Sequence, residues 1–253
     1  MSSSWLTRCT DAGRELGRGL LHLIYPPCCH LCGRSLPGVA PFCDGCRAAF
    51  LADATPACPS CAAAVGPFAV IDGRCIHCRD ETFAFEAALR LGPYEGHLRE
   101  AVLRMKNHSG EILAELLGEL WAEHAGVALR AVGADVLVPV PLHWRRRWLR
   151  GYNQSDAIAH GLAARLRLPC GACGLRRIRA TPMQTSQTVA GRRANVRGAF
   201  AAARHPRTFD KTVLLVDDVM TTGATASEAA RALVKAGARR VTAAVLTRAH
   251  HSP

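Results

Sequence analysis

Apolar residues along this chain fall either into short unbroken runs or into stretches with helical spacing, and the two alternate. Val213-Leu214-Leu215-Val216 is an unbroken run that meets two acids, Asp217 and Asp218. A short Thr/Gly-rich turn through Thr225 follows, and then Ala229, Ala230, Leu233 and Val234 keep helical spacing up to Gly237. That order predicts a buried strand, a tight loop and a helix. Val241 to Leu246 predicts a last buried strand, and Asp135 to Pro141 another, which its prolines end because they cannot continue a central ladder. Phe83 to Tyr94 predicts a strand closed by a turn at Gly92-Pro93. Leu98, Ala101, Val102 and Met105 repeat at helical spacing, Asn107 to Gly110 interrupts it, and Ile112, Leu113, Leu116, Leu117, Leu120 and Trp121 restart it. Ile158, Leu162 and Leu166 mark a further core-facing helix before Pro169, and Leu16, Leu20 and Leu23 a short packing helix before Pro26-Pro27. The expected class is α/β. In an open sheet of this class ligands bind at the carboxyl ends of the strands, where a starting helix aims unsatisfied N–H groups at an anion.

Cysteine spacing adds a second part. Eight of the 12 cysteines form four C-x-x-C pairs, Cys29/Cys32, Cys43/Cys46, Cys58/Cys61 and Cys75/Cys78. Such a turn points two thiolates at one ion, and two turns complete a closed, structural site of four cysteines. The simplest arrangement is a pair of zinc ribbons, the first turn with the second and the third with the fourth, holding one or two zinc ions. A disulfide framework is the rival, and a reducing compartment argues against it. The expected organisation is a tail and packing helix over 1–25, a double zinc ribbon over 26–80 and an α/β domain over 81–253. Cys170/Cys173 is isolated from any other pair and reads as reduced and incidental.

The formal net charge of +12 suggests an anionic partner, although only 3 of the 32 basic residues are lysine. The clusters Arg145-Arg146-Arg147, Arg176-Arg177 and Arg192-Arg193 suit bidentate phosphate contact or a solvated basic face. The segment from His143 to Gly151 holds Arg145, Arg146, Arg147 and Arg150 around Trp144 and Trp148. It reads either as a loop that clasps a second anionic group or as a basic surface with two half-buried tryptophans. Lys106 stands at the break between two helices, either as a surface residue or as one that reaches into a site. Residues 180–199, with Gln187, Arg192, Arg193 and Asn195, are polar and aperiodic, which reads either as a disordered stretch or as a functional lid, and their Arg and Gln content favours a mobile loop over an anionic ligand. No window approaches the roughly 20 uncharged apolar residues of a membrane span, and charges interrupt the start of the chain. The expected location is the cytoplasm.

The acid pair can be narrowed by what surrounds it. A receiver domain needs about a hundred residues after such a strand, and 35 follow Asp218. A Walker-B strand needs a G-x-x-x-x-G-K-[ST] loop, which the chain lacks. VLLVDDVMTTGAT, in contrast, resembles the type I phosphoribosyltransferase motif along its full length. In that family the acids grip the ribose hydroxyls of phosphoribosyl pyrophosphate (PRPP), and the loop holds its 5′-phosphate. The resemblance therefore assigns Asp217 and Asp218 to the ribose, as the catalytic pair, and Val219, Met220, Thr221, Thr222, Gly223, Ala224 and Thr225 to the phosphate cradle.

The ordered set of C-x-x-C turns, LVPVPLHWRRRWLRGYNQS, then Gln187, Arg192 and Asn195, then the PRPP loop, is similar to the ComF (ComFC) competence family over roughly residues 26–248. Tyr152 stands where phenylalanine is common, and the basic loop is unusually rich in arginine. The resemblance implies a type I phosphoribosyltransferase fold, a mostly parallel sheet flanked by helices, preceded by a small double zinc-ribbon module. It implies Zn²⁺ at the eight cysteines, Mg²⁺ arriving with PRPP, and Lys106, Arg150 and Arg192 as pyrophosphate or lid residues. It also implies a link to uptake of single-stranded DNA. A further reading makes the ribbons a platform for a helicase-like partner. The alternative is a non-enzymatic factor that handles single-stranded nucleic acid, with PRPP as a regulator or the pocket vestigial.

Overall fold

A computed structural model describes residues 26–180 and 189–249. The chain divides into two compact units after Ala49. In the first, the Cys29–Cys32 turn is closed by hydrogen bonds from the Cys29 N–H to Arg34 O at 2.8 Å and from the Gly33 N–H to Cys29 O at 2.9 Å. Helix α1 (Asp44–Phe50) follows the start of the Cys43–Cys46 turn.

The second unit contains the other four cysteines. Strands β1 (Val70–Ile71) and β2 (Arg74–Cys75) form an antiparallel hairpin. Its two turn residues, Asp72 and Gly73, have φ of 48° and 75°, the left-handed pair that a two-residue hairpin turn requires. This hairpin delivers Cys75 beside the Cys58–Cys61 turn.

The centre is a four-stranded parallel sheet in the order β3, β8, β7, β4. Its strands are β3 (Ala87–Pro93), β4 (Val136–Pro139), β7 (Thr212–Met220) and β8 (Arg240–Arg248). A parallel sheet covered on both faces must be apolar on both, and β4, β7 and β8 are buried almost throughout. Val136, Val138, Val213, Leu215, Val241 and Ala243 share one core with Ala226, Ala229, Ala230 and Leu233 of α7 (Ala224–Lys235). Alternate residues, Leu137, Leu214, Val216, Ala244 and Leu246, are equally buried and by strand periodicity face the other layer. That layer is α3 (Glu111–Ala131) and α5 (Gln154–Leu166). These two helices cross on glycine: a Cβ on Gly161 would lie 2.0 Å from Glu115 O, and one on Gly118 2.3 Å from Ile158 O. Helix α2 (Gly96–Arg104) and a 3₁₀ turn (His108–Gly110) lead into α3, as the interrupted periodicity predicts.

Three expectations need correction. The basic segment is a helix, α4 (Trp144–Arg150), ended by Gly151 in the left-handed conformation, and its tryptophans are exposed rather than half-buried. It buries no residue, so it has no apolar stripe for a sequence to display. Within 180–199, part of the aperiodic stretch is a helix, α6 (Val189–Val196), and residues 181–188 lie outside the described residues. Ile112 and Val234 are exposed, the rest of their helical sets buried or half-buried. Strands β5 (Leu175–Arg177) and β6 (Phe200–Ala202), a short antiparallel pair beside α7, carry no sequence signal. The helix expected at Leu16, Leu20 and Leu23 lies outside the described residues. Among the described residues no helix is long and apolar enough to cross a membrane.

Candidate functional site

The neighbouring strands β4 and β7 lead toward helices on opposite faces of the sheet, α5 on one and α7 on the other. The crevice that opens at their carboxyl ends is where an open sheet of this class takes its ligand. β7 ends there with Asp217 and Asp218. Asp217 is buried and accepts a hydrogen bond from Ser155 Oγ of α5 at 2.9 Å. Burial, together with the adjoining Asp218 charge, pushes its pKa from 3.8 up to about 8, against the opposing pull of the Ser155 hydroxyl. Asp218 is half-buried and accepts from the Val219 N–H at 2.8 Å.

The loop beyond is shaped by Gly223, which caps α7 with φ 79°. A side chain there would meet Phe83 Cε1 at 2.8 Å, so glycine is required by conformation and by space. The Thr222 hydroxyl accepts from the Ala224 N–H at 3.3 Å. A small cavity is lined by Asp217, Val219, Met220, Thr221, Gly223, Ala224, Thr225 and Ala226. The first turn of an α-helix carries N–H groups without intrahelical partners and the positive end of the dipole. The hollow is therefore a cradle that sets helix-start N–H groups beside the Asp217 carboxyl, with Asp218 the next residue along β7. A larger cavity of about 650 Å³ on another flank of α7 shares Thr222 and Ala224 but neither acid, and mixes Asp80, Glu228, Arg197, Arg231 and Lys235 along its walls. The smaller hollow has the convergent chemistry.

One arginine lies in the field of Asp217, and two more adjoin it. Burial and the neighbouring Arg150 lower the pKa of Arg146. Arg177 of β5 is lowered by burial and by Arg146, while the Asp217 charge opposes the shift. Arg146, Arg150 and Arg177 thus form one cationic field beside Asp217. Arg150 Nη1 also donates to Gln154 Oε1 at 3.1 Å. Gln154 Nε2 in turn donates to Met105 O at 2.9 Å, and the Tyr152 hydroxyl donates to the same carbonyl. Tyr152 is buried, which raises its pKa to about 12, so the hydroxyl stays a donor. This pair fixes the backbone next to Lys106 against the start of α5. Asn153 Nδ2 donates to Val140 O at 3.1 Å, and its Oδ1 is buried with no partner among the described residues. The sequence pointed to Arg150 and Lys106, and to Arg146 and Arg177 within their basic clusters, but not to Ser155 or Gln154. The backbone of Arg192 lies in α6, and its side chain lies outside the described residues.

The cysteines form two groups, Cys29/Cys32/Cys43/Cys46 and Cys58/Cys61/Cys75/Cys78, each with its sulfurs within 4.8 Å of one another. In the second group the Cys58–Cys78, Cys61–Cys75 and Cys75–Cys78 sulfurs are 3.7, 3.6 and 3.8 Å apart. Tetrahedral ligands at the usual zinc–sulfur length of about 2.3 Å sit about 3.8 Å from one another. Each group fits such an ion, and the spacing is far too long for disulfides.

Residues 154–253 match the phosphoribosyl transferase domain family. The chain is 30% identical over 228 residues to DNA utilization protein YhgH of Escherichia coli O157:H7, covering 87% of this chain and 96% of that protein. The chain belongs to the ComF competence family. Competence protein F of Haemophilus influenzae, a ComF relative, is 36% identical over 116 residues, 46% of this chain and 51% of its own length. A solved structure of glutamine PRPP amidotransferase from B. subtilis aligns at 25% identity and a TM-score of 0.39, over 57% of this chain and 30% of that one. The ComF membership places the strand, acid pair and cradle described above in a phosphoribosyltransferase-like domain.

Proposed function

We propose that the cradle binds the 5′-phosphate of PRPP and that Asp217 and Asp218 accept hydrogen bonds from the ribose hydroxyls. The observation that carries this is the junction of β7 and α7: two acids, then a glycine-shaped turn, then a helix start, all at the crevice between α5 and α7. Hydroxyl donors suit carboxylate acceptors, and backbone N–H groups suit a phosphate. Arg146, Arg150 and Arg177 supply positive charge for the pyrophosphate, with Lys106 and Arg192 as further contributors.

As a phosphoribosyltransferase, the site works by positioning and charge stabilisation. The acids hold the ribose while C1 gains positive character, the arginines stabilise the departing pyrophosphate, and an acceptor attacks the opposite face of C1. Asp217 releases its proton to solvent when the ribose docks, because the carboxylate offers both oxygens to hydroxyl donors whereas the neutral carboxyl turns one of them into a donor. Mg²⁺, held by oxygens of PRPP, would neutralise the pyrophosphate as it leaves. The two cysteine groups hold structural zinc and take no part in the chemistry.

One feature favours a second reading, a nucleic-acid-handling protein for which PRPP is a regulator. Helix α4 exposes 65% of Trp144 and 82% of Trp148, and the Arg145 guanidinium lies 5.2 Å from the centre of the Trp144 ring. Exposed aromatic faces beside arginines suit a single strand, through stacking and phosphate contact. Pyrophosphate release, measured with PRPP, Mg²⁺ and each nucleobase in turn, separates the two. Release with any acceptor supports the transferase. PRPP binding without release, together with single-stranded DNA binding that falls steeply with salt and weakens in the Arg145→Ala, Arg146→Ala, Arg147→Ala triple variant, supports the second.

A further inference from the structure

The ComF domain contains a physical link between its second cysteine group and the anion cradle, made by one buried side chain. Arg248, the last residue of β8, is only 6% exposed. Its Nε donates to Cys61 O at 2.9 Å, inside the metal-binding turn. The two hydrogens of its Nη1 are shared among Met220 O at 3.2 Å, Ala249 O at 2.8 Å and Thr221 O. One guanidinium therefore joins the backbone of a cysteine ligand to the first carbonyls of the cradle, across 187 positions of sequence.

The direction of these bonds bears on anion binding. In a planar trans peptide the carbonyl and the following N–H point in opposite directions. Carbonyls of Met220 and Thr221 turned toward Arg248 oblige the N–H groups of Thr221 and Thr222 to point away from the cysteine group. These are two of the donors that the proposed phosphate site has to offer. A second tie runs alongside: Arg90 Nη1 donates to Ala62 O at 3.1 Å, and its Nη2 meets Asp53 Oδ2 at 2.8 Å. The turn after Cys61 is thereby anchored to β3.

Charge points the same way. Four thiolates around one divalent ion leave the site with two negative charges in excess. They are a buried counter-charge for a buried arginine that, among the described residues, has no carboxylate as a hydrogen-bond partner. Without the ion, the Cys58–Cys61 turn loses its tether and Arg248 loses that compensation, and a buried cation without either is costly to keep in place.

We propose that Arg248 is a positioning residue that transmits metal occupancy of the Cys58/Cys61/Cys75/Cys78 group to the Val219–Thr225 cradle, so that the metal-free protein has a loosened anion site although the sheet remains folded. The significance of the link for ligand binding rests on the PRPP reading, but the link itself does not. It can be tested without ligand. Amide hydrogen exchange is followed by mass spectrometry in the full-length protein, zinc-loaded and chelator-stripped, for wild type, Arg248→Met and Arg248→Lys.

In wild type, stripping should speed exchange across residues 219–226 at least tenfold and leave α3 and α5 unchanged. In Arg248→Met the cradle should exchange fast in both states, so that stripping adds little. Arg248→Lys, which keeps the charge but not the fork, should be intermediate when loaded. The same stripping factor in wild type and in Arg248→Met overturns the proposal, as does no change in wild type. If Arg248→Met does not fold, loaded Arg248→Lys decides: exchange at 219–226 equal to wild type overturns the link. Loss of PRPP binding in all forms would overturn the functional reading while leaving this result standing.

Discussion

Replacing Asp217 by asparagine should make the protein more stable at neutral and alkaline pH while it destroys the ribose site. The side chain is buried, and asparagine keeps an oxygen that can accept from Ser155 Oγ and from the Asp218 N–H, the two bonds that Asp217 makes through Oδ1. What disappears is a carboxyl whose pKa stands at about 8 instead of 3.8. The folded state holds this proton more tightly than the unfolded chain, so the carboxyl costs stability as pH rises from about 4 to about 8, and the cost is constant above that. At about 1.4 kcal/mol per unit the full effect is on the order of 5 kcal/mol, a large part of a typical domain stability of about 5–15 kcal/mol. Between pH 6 and 8 wild type should lose about 2–3 kcal/mol relative to Asp217→Asn, or roughly 5–10 °C in relative Tm. Scanning calorimetry of both proteins at pH 6, 7, 8 and 9 measures it. The two Tm curves should diverge up to pH 8 and run parallel beyond. Parallel curves over the whole range would refute the assignment of a protonated, buried Asp217.

The same proton predicts that the PRPP affinity of wild type rises about tenfold per pH unit between pH 6 and 7 and levels off above pH 8, a slope that isothermal titration would detect; a flat profile over that range would contradict it. Gly223→Ala places a Cβ 2.8 Å from Phe83 in a residue at φ 79°, and should cost about 1–3 kcal/mol in urea denaturation and weaken PRPP at least tenfold. Gly161→Ala, whose Cβ would lie 2.0 Å from Glu115 O, should cost about as much or more in stability by forcing α3 and α5 apart, and leave PRPP affinity nearly unchanged in the folded fraction. Tyr152→Phe removes one of two donors to Met105 O and should cost about 1 kcal/mol, read from the same denaturation curves. Elemental analysis should find two zinc ions per chain and one in Cys61→Ser, and two in that variant would contradict the cysteine grouping.

The junction of β7 and α7 was legible because its signals are local: an apolar run, two acids and a change of period at Gly223 all occur within a few residues. The two cysteine groups were legible for a similar reason, since paired C-x-x-C turns constrain which sulfurs can meet. What was not legible depends on long-range partners. Ser155 lies 62 positions from Asp217, and Arg248 lies 187 from Cys61. Nothing around either residue distinguishes it from an ordinary surface serine or strand-end arginine. Helix α4 escaped because it buries no residue and so leaves no periodic trace, and β5 and β6 because three-residue strands are too short to show alternation. Asp72-Gly73 was a readable hairpin signal that the cysteine spacing obscured.

The central claim is that the acids and the cradle form a PRPP site. Isothermal titration of the zinc-loaded protein with PRPP and Mg²⁺, beside the Asp217→Asn, Asp218→Asn double variant, tests it most directly. Saturable one-site binding by wild type and its loss in the variant are predicted. Equal affinity in the two proteins, or no binding to wild type, would contradict the account.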